Sequence, residues 1–539
     1  MIQRFSRALG LTLLTGFAAL TPACGSSGPE AVTGDEDDLT SLTARERTLT
    51  FEGYVYVSAG ASSKTILAAV QRETKSAFGA LRIANVSVSS RELSDVDAKQ
   101  FKKEPVKVVN PTTHASTDAL RVRYQYVDQA IVPKTMSRRS SLELGLLHGD
   151  YQKQSDRILK ECTGNGDEDR EMVDEIWYVY DPSLARCQKA MATEQTAIDA
   201  QRKLLGNPGQ EIVAEERDRL YLPMTARLEP KAMTAGTAYP EYDRLWSGGI
   251  KPGVLSVSLL NGIIGHGEPG MSHPINEDEG YVEMLGEMEA LLDARPGLTV
   301  VKTDPATDLS TFTITGKSIK GVTFRDFINW ELHGTSFPAG LSAAQKTSLR
   351  AAAAERLLRR WVTFEETVSV KIGSKAAKNV TIRVEQYFGA DEDEAPYRHA
   401  LKQSDVFVFN GHSFIGSGPL DPANFKASDL PQSYQIYFVD SCVSFNYYNK
   451  DFYAFKANGD RDLDTITNGV ESFSDGSGAA EGRFVAALLG GKQPSYKKLL
   501  EIAGTTGTDY DWGKDAMRVV DGEIANSYAP SKTPIKVTP

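Results

Sequence analysis

The chain has 539 residues, 41% hydrophobic and 24% charged, with 60 Lys and Arg against 71 Asp and Glu. That length exceeds what one hydrophobic core serves, so about two to four domains are expected. The net charge of −11 and the lack of a basic face exclude nucleic acid as a partner, because phosphate binding draws on clustered Lys and Arg.

Residues 1–24 read as a lipoprotein signal peptide and are left out of fold reasoning. Arg4 and Arg7 form a positive start, and residues 8–20 are an apolar run too short to span a bilayer comfortably. Small residues then precede Cys24. The arrangement resembles a bacterial lipobox, although Leu20 sits one place early and Pro22 is unusual. The resemblance implies cleavage before Cys24 and acylation of its thiol and new amino terminus. Each acyl methylene buried in the bilayer contributes about 0.8 kcal/mol, so two or three chains hold a protein firmly. The expected location is therefore an exported protein on a bacterial membrane. Gly25 in place of an aspartate favours the outer membrane, with a periplasmic or surface-exposed body. The alternative is an ordinary signal peptide with an incidental cysteine. Residues 25–48 open rich in Gly, Ser, Thr and acids, including Asp35-Glu36-Asp37-Asp38, and are read as a flexible acidic tether.

Export makes unpaired thiols unusual. Of the four cysteines, Cys24 is taken by lipid, and Cys162 and Cys187 are expected to form a disulfide worth about 3 kcal/mol in the loop-entropy picture. Cys442 is left over, which flags it as a reactive thiol or an intermolecular linker.

Residues 49–235 are read as an α+β region. Residues 50–57 alternate like a half-buried strand, 63–78 have helical spacing, 120–132 return to strand, 176–180 look strand-like, and 194–205 form a polar helix. His114 and His148 stand alone there and carry no catalytic pattern. A Gly, Pro, Thr and Tyr-rich stretch at 231–250 marks a boundary. A second unit, 245–535, follows with α/β grammar. Residues 254–264 form a nearly continuous apolar run suited to a strand covered on both faces. A helix over 281–292 and a short strand at 298–301 suggest a parallel β-α-β unit. Residues 303–375 are treated as an insertion or lid with a helix over 343–361. Strands then recur at 380–387, 406–409 and 436–439, with a helix over 395–402.

The last two strands end on Asn410-Gly411-His412-Ser413 and Asp440-Ser441-Cys442. Sites in open α/β sheets form where loops leave the carboxyl ends of strands, and a thiol beside an imidazole is the pair that nucleophilic acyl chemistry needs. Backbone amides of Ser413 and Cys442 are candidates for an oxyanion hole. The pattern of apolar strand, Gly-His, 30 positions, apolar strand and Asp-Ser-Cys resembles the caspase-like cysteine peptidases, nearest in spacing to the gingipain and CHAT branches. In that family the histidine ends the third strand and the nucleophile ends the fourth. Residues 466–470 and 482–491 are similar to its next strand and helix. The resemblance implies a caspase-like, mostly parallel sheet flanked by helices after the α+β region, with His412 as acid/base and Cys442 as nucleophile. It implies a protein or peptide substrate and no cofactor. Ser413 stands where the family usually has Gly, and the insertion is unusual. The substrate-pocket residues do not transfer.

Three other readings belong beside this one. His266 and Glu268, in Gly265-His266-Gly267-Glu268, sit at another strand end; they could line the same cleft, or His266 could replace His412. With His273, Glu277, Asp278 and Glu279 they match no defensible zinc spacing. Asp460, Asp462 and Asp464 alternate like a calcium loop, but its turn Gly and closing Glu are misplaced; a solvated acidic loop is expected, with structural calcium as the alternative. The non-enzyme alternative is a lipoprotein binding or scaffold module with an inactive caspase-like domain.

Overall fold

A computed structural model of the chain describes residues 39–164, 166–206, 209–231, 237–265, 273–473, 476–504 and 516–539. Cys24, with the signal segment, and the pair His266 and Glu268 lie outside the described residues. No helix among the described residues is long and apolar enough to cross a membrane.

The centre of the molecule is set by strands without alternation. Val254–Gly262 (β1) is buried at every position, as a strand covered on both faces must be. It pairs in parallel with Lys378–Ala390 (β2) on one side and Val406–Asn410 (β3) on the other. Parallel pairing continues from β3 to Gln435–Asp440 (β4) and from β4 to Leu463–Thr467 (β5). Val519–Asp521 (β6) then joins β5 antiparallel, and Thr40–Ser41 joins β6 antiparallel. Beyond β2 the sheet runs on antiparallel through Arg360–Ile372 to Thr299–Asp304. Ile535–Thr538 also pairs with Arg360–Ile372, giving ten strands. The fold is mixed α/β, and antiparallel strands at both edges make the sheet mixed rather than mostly parallel.

Residues on successive positions of a strand face opposite layers. Val406 and Val408 enter one hydrophobic cluster, Phe407 and Phe409 the other. The flanking helices are Glu279–Ala294 (α1), Glu394–Gln403 (α2) and Ser477–Leu488 (α3). The first cluster includes Met284, Leu285 and Met288 of α1 and Phe484 and Val485 of α3. The second includes Tyr397, Ala400 and Leu401 of α2 and runs without a break into the N-terminal sheet through Phe78, Trp177 and Tyr447. The two regions share a core.

That N-terminal sheet has seven strands over residues 44–230. Its spine is Ala44–Ser58 paired antiparallel along its whole length with Ser116–Pro133. Residues 40–48, assigned to the tether by composition, are therefore largely strand: the acid and Gly bias fades before them, and Ala44, Glu46 and Arg47 are buried. Cys162 and Cys187 are disulfide-bonded, with Cα atoms 4.6 Å apart. Between them Ile176–Val179 is a helical turn, not a strand; a short apolar run fits either, and packing of Trp177 on Phe78 decides.

The region expected as an insertion or lid widens the sheet instead. Thr299–Asp304 is an antiparallel edge strand with Val300 and Val301 exposed, so it does not complete a parallel β-α-β unit with β1. The helix expected over 343–361 stops at Leu357, and a strand takes over at Arg360. Phe312, Phe327, Trp330 and Leu349 of this region are buried with Met284 and Leu291 of α1.

Helices α1 and α3 approach as closely as glycine permits. A Cβ on Gly478 would lie 2.1 Å from the Glu283 carbonyl oxygen, and one on Gly482 would lie 2.2 Å from that of Glu287. Gly482→Ala is expected to lower unfolding free energy by about 1–3 kcal/mol through overpacking, read as a shift of the urea midpoint at constant slope.

Candidate active site

Strands β3 and β4 pair in register, with Asn410 opposite Asp440. His412 and Cys442 therefore leave adjacent strands at the same level. Gly411 extends the register by donating its N–H to the Asp440 carbonyl at 3.3 Å. No side chain fits at Gly411: a Cβ would meet the Phe409 ring at 2.8 Å and Gly262 Cα at 3.2 Å.

Both loops then turn through left-handed backbone. Phe414 and Ile415 have φ of 50° after His412, and Val443 has φ of 52° after Cys442. For β-branched residues this conformation is strained, at a cost of order 1–3 kcal/mol each, and such strain collects at functional sites. Among the described residues, no hydrogen bond takes up the backbone N–H of Ser413 or of Cys442. The Ser413 carbonyl is held by the Tyr448 hydroxyl at 2.6 Å and by the Gly416 N–H at 2.8 Å.

The thiol is only 8% exposed. Cys442 Sγ donates to the Ser472 carbonyl at 3.8 Å. Burial first, then the charge of Glu471, pushes the thiol up to about 12. Burial likewise holds the His412 imidazole down to about 4. At neutral pH the pair is a neutral thiol and a neutral imidazole, not a thiolate and an imidazolium.

Asp440, two residues before Cys442, organises what lies behind. Its Oδ1 accepts from Asn468 Nδ2 at 2.6 Å and Ser472 Oγ at 2.7 Å, and its Oδ2 accepts from Arg518 Nη2 at 2.6 Å. Arg518 also donates to Asn468 Oδ1 at 3.2 Å and lies 4.8 Å from the Phe438 ring centre. Asn410 donates to Ser477 Oγ and Glu481 Oε2 at the start of α3, while Glu283 of α1 accepts the N–H groups of Gly476 and Gly478. A carboxylate at a helix N-terminus is favourably placed. Glu287 and Glu481 are fully buried, and burial lifts both well above the usual carboxylate range.

The remaining sequence candidates do not join this centre. The expected solvated loop at Asp460, Asp462 and Asp464 has only Asp460 exposed. Asp462 accepts from Arg244 and from Asn458 Nδ2 at 2.7 Å. Asp464 is buried under Tyr434, Tyr496 and Asn526, because β5 begins at Leu463 and carries it into the sheet. The three carboxylates do not converge. Asp278 caps α1 through Gly280 N–H and holds the Ile264 N–H. Among the described residues no group of three or more His, Cys, Asp and Glu side chains is placed to hold a metal ion.

No protein-family model, curated protein or solved structure matches this chain.

Sequence reasoning passed over Asn468, Glu471, Ser472 and Arg518. The first three follow the apolar strand β5, so the strand-end rule that found His412 and Cys442 reaches them too. Arg518 had no such signal, because its role is set by a partner 78 positions away.

Arg518→Met removes the cation from a fully buried pair and leaves Asp440 uncompensated. Its expected cost is about 3–5 kcal/mol in chemical denaturation. The His412 imidazole has its folded value below the ordinary 6.5, so its contribution to stability is complete above pH 6.5 and is lost as pH falls through about 4. His412→Gln is expected to flatten the fall of the thermal midpoint over that window.

Proposed function

We propose that this protein is an exported, lipid-anchored cysteine peptidase with a caspase-like domain, using Cys442 as nucleophile and His412 as acid/base. The observation that supports this reading is the register: β3 and β4 are the third and fourth parallel strands in chain order, they end with Asn410 opposite Asp440, and His412 and Cys442 each lie two residues beyond those ends. The reading carries the family's histidine and nucleophile onto these two strand ends. The lipobox-like start of the sequence and the paired Cys162 and Cys187 support passage through an oxidising compartment.

In the reaction, the Cys442 sulfur attacks the scissile carbonyl carbon as its proton passes to His412. The C–S bond forms, and the C–N bond breaks as His412 gives that proton to the leaving amine. Water, deprotonated by His412, then adds to the thioester. The acid product leaves and the thiol is restored. The Ser413 and Cys442 amides meet the oxyanion in both halves, a contribution of roughly 3 kcal/mol.

A second reading is favoured by one observation, the buried thiol pushed up to about 12: an inactive domain serving as a binding module. The two separate in a peptide-library digest by the full-length protein, before and after limited proteolysis, read by mass spectrometry. Cleavage that vanishes in Cys442→Ala and drops by about 10²–10⁴ in His412→Ala is the expected result. If no peptide is cut in any state and Cys442 alkylates only on denaturation, the binding module is the function.

A further inference from the structure

Four of the parallel strands end alike. Asn261 before Gly262 closes β1, Asn410 before Gly411 closes β3, Asp440 before Ser441 closes β4, and Asn468 before Gly469 follows β5. Asn261 pairs in register with Asn410, and Asn410 with Asp440. Asn468 comes directly after Thr467, the partner of Val439. The four thus stand at one level across adjacent strands. Leu259, Val408, Phe438 and Ile466, two positions earlier on each strand, lie in the cluster shared with α1 and α3. Alternation then turns all four polar side chains toward those helices, and all four are buried.

Two acids meet this row from the helices. Asn410 Nδ2 donates to Ser477 Oγ at 2.8 Å and to Glu481 Oε2 at 3.2 Å, so successive turns of α3 clasp it. Asn261 Oδ1 accepts from Gln386 Nε2 at 2.5 Å, and the Asn261 amide lies beside Glu287 of α1. Glu481 Oε1 and both carboxyl oxygens of Glu287 have no hydrogen-bond partner among the described residues. Arg518 lies near enough to act on Glu481, yet it bonds Asp440 and Asn468. A leucine at 481 would fill this layer with no carboxyl to desolvate, so stability alone gives no reason for an acid there. The bond that Glu481 does make is to the residue from which the His412 loop departs. Gly411 has no room for a side chain. The course of the chain beyond β3 is therefore held by the Asn410 side chain and by the Gly411 N–H on the Asp440 carbonyl.

We infer that Glu481 is a positioning residue for the candidate active site: through Asn410 it sets the direction in which the chain leaves β3, and so the place of His412. The inference rests on the peptidase reading. The influence of Glu481 reaches the imidazole through Asn410 and two residues of backbone, and a shift of the order of an ångström there is costly to a reaction that needs exact alignment.

Full-length wild type, Glu481→Leu, Glu481→Gln and Asn410→Ala are compared in urea midpoint, in cleavage of the peptides that wild type cuts, and in hydrogen exchange of residues 411–416. Glu481→Leu removes the acceptor and fills the space. Its urea midpoint is expected at or above that of wild type, while kcat falls about tenfold or more with KM held within about twofold. Glu481→Gln keeps an oxygen for Asn410 and is expected to stay within about twofold of wild type in kcat. Asn410→Ala cuts the same link from the strand side and is expected to match Glu481→Leu. Exchange at 411–416 is expected to rise about tenfold in those two variants and not in Glu481→Gln. Where Glu481→Leu does not fold, Asn410→Ala carries the test by the same readouts. Wild-type kcat and exchange in folded Glu481→Leu, or a Glu481→Gln as impaired as Glu481→Leu, overturns the inference. Exchange that rises over the whole sheet rather than at 411–416 marks a merely structural role and overturns it too. A wild type that cuts no peptide overturns the peptidase reading, and the setting of the loop by Glu481 then stands or falls on exchange alone.

Discussion

The carboxylate of Asp440 is the point on which the strand ends depend. It is buried, yet it binds Arg518 just before β6 and Asn468 and Ser472 after β5, while the Asp440 backbone carbonyl accepts from Gly411 of the neighbouring loop. An ion taken out of water is costly and is tolerated only when its lone pairs are filled. Here three donors fill them and tie the ends of β4 and β5 to the start of β6, and the Gly411 N–H on the main-chain carbonyl adds β3. The positions of His412, Cys442 and Ser472 all follow from that knot.

Around the knot the protein keeps polar groups where an apolar core would cost less. Asn261, Gln386, Asn410, Glu287 and Glu481 are buried in the layer between the parallel strands and the α1–α3 pair. Gly478 and Gly482 let those helices close over this layer. Close packing makes such an arrangement stiff, and stiffness is what holds left-handed Ile415 and Val443 in place. A softer frame would let both loops relax.

Much of the parallel sheet was legible because its strands are long apolar runs ending on unlike residues: 254–262, 406–410 and 435–440 announce themselves by burial on both faces. The disulfide followed from counting thiols in a chain whose first residues read as an export signal. What could not be read is carried by groups distant in sequence. The strand at 299–304 looked like a parallel partner because a local pattern does not say which neighbour it meets, and its exposed valines became visible only at the edge. Asp462 and Asp464 looked like a solvated loop because alternating acids usually are; Arg244, Tyr434 and Tyr496, remote in the chain, bring them inside. The burial of Cys442 was invisible for the same reason, since Phe78, Arg82 and Tyr178 precede it by more than 260 positions.

Arg82 ion-pairs with Glu471, the acid beyond β5 whose charge helps raise the Cys442 thiol. A lone ion pair at a partly exposed site is worth little when its members diffuse freely. Joined in one chain that shares a core, they meet at an effective concentration of order millimolar or above, and no dilution separates them. Only an event acting on the fold itself breaks that contact, so it is indifferent to how much of the protein is present.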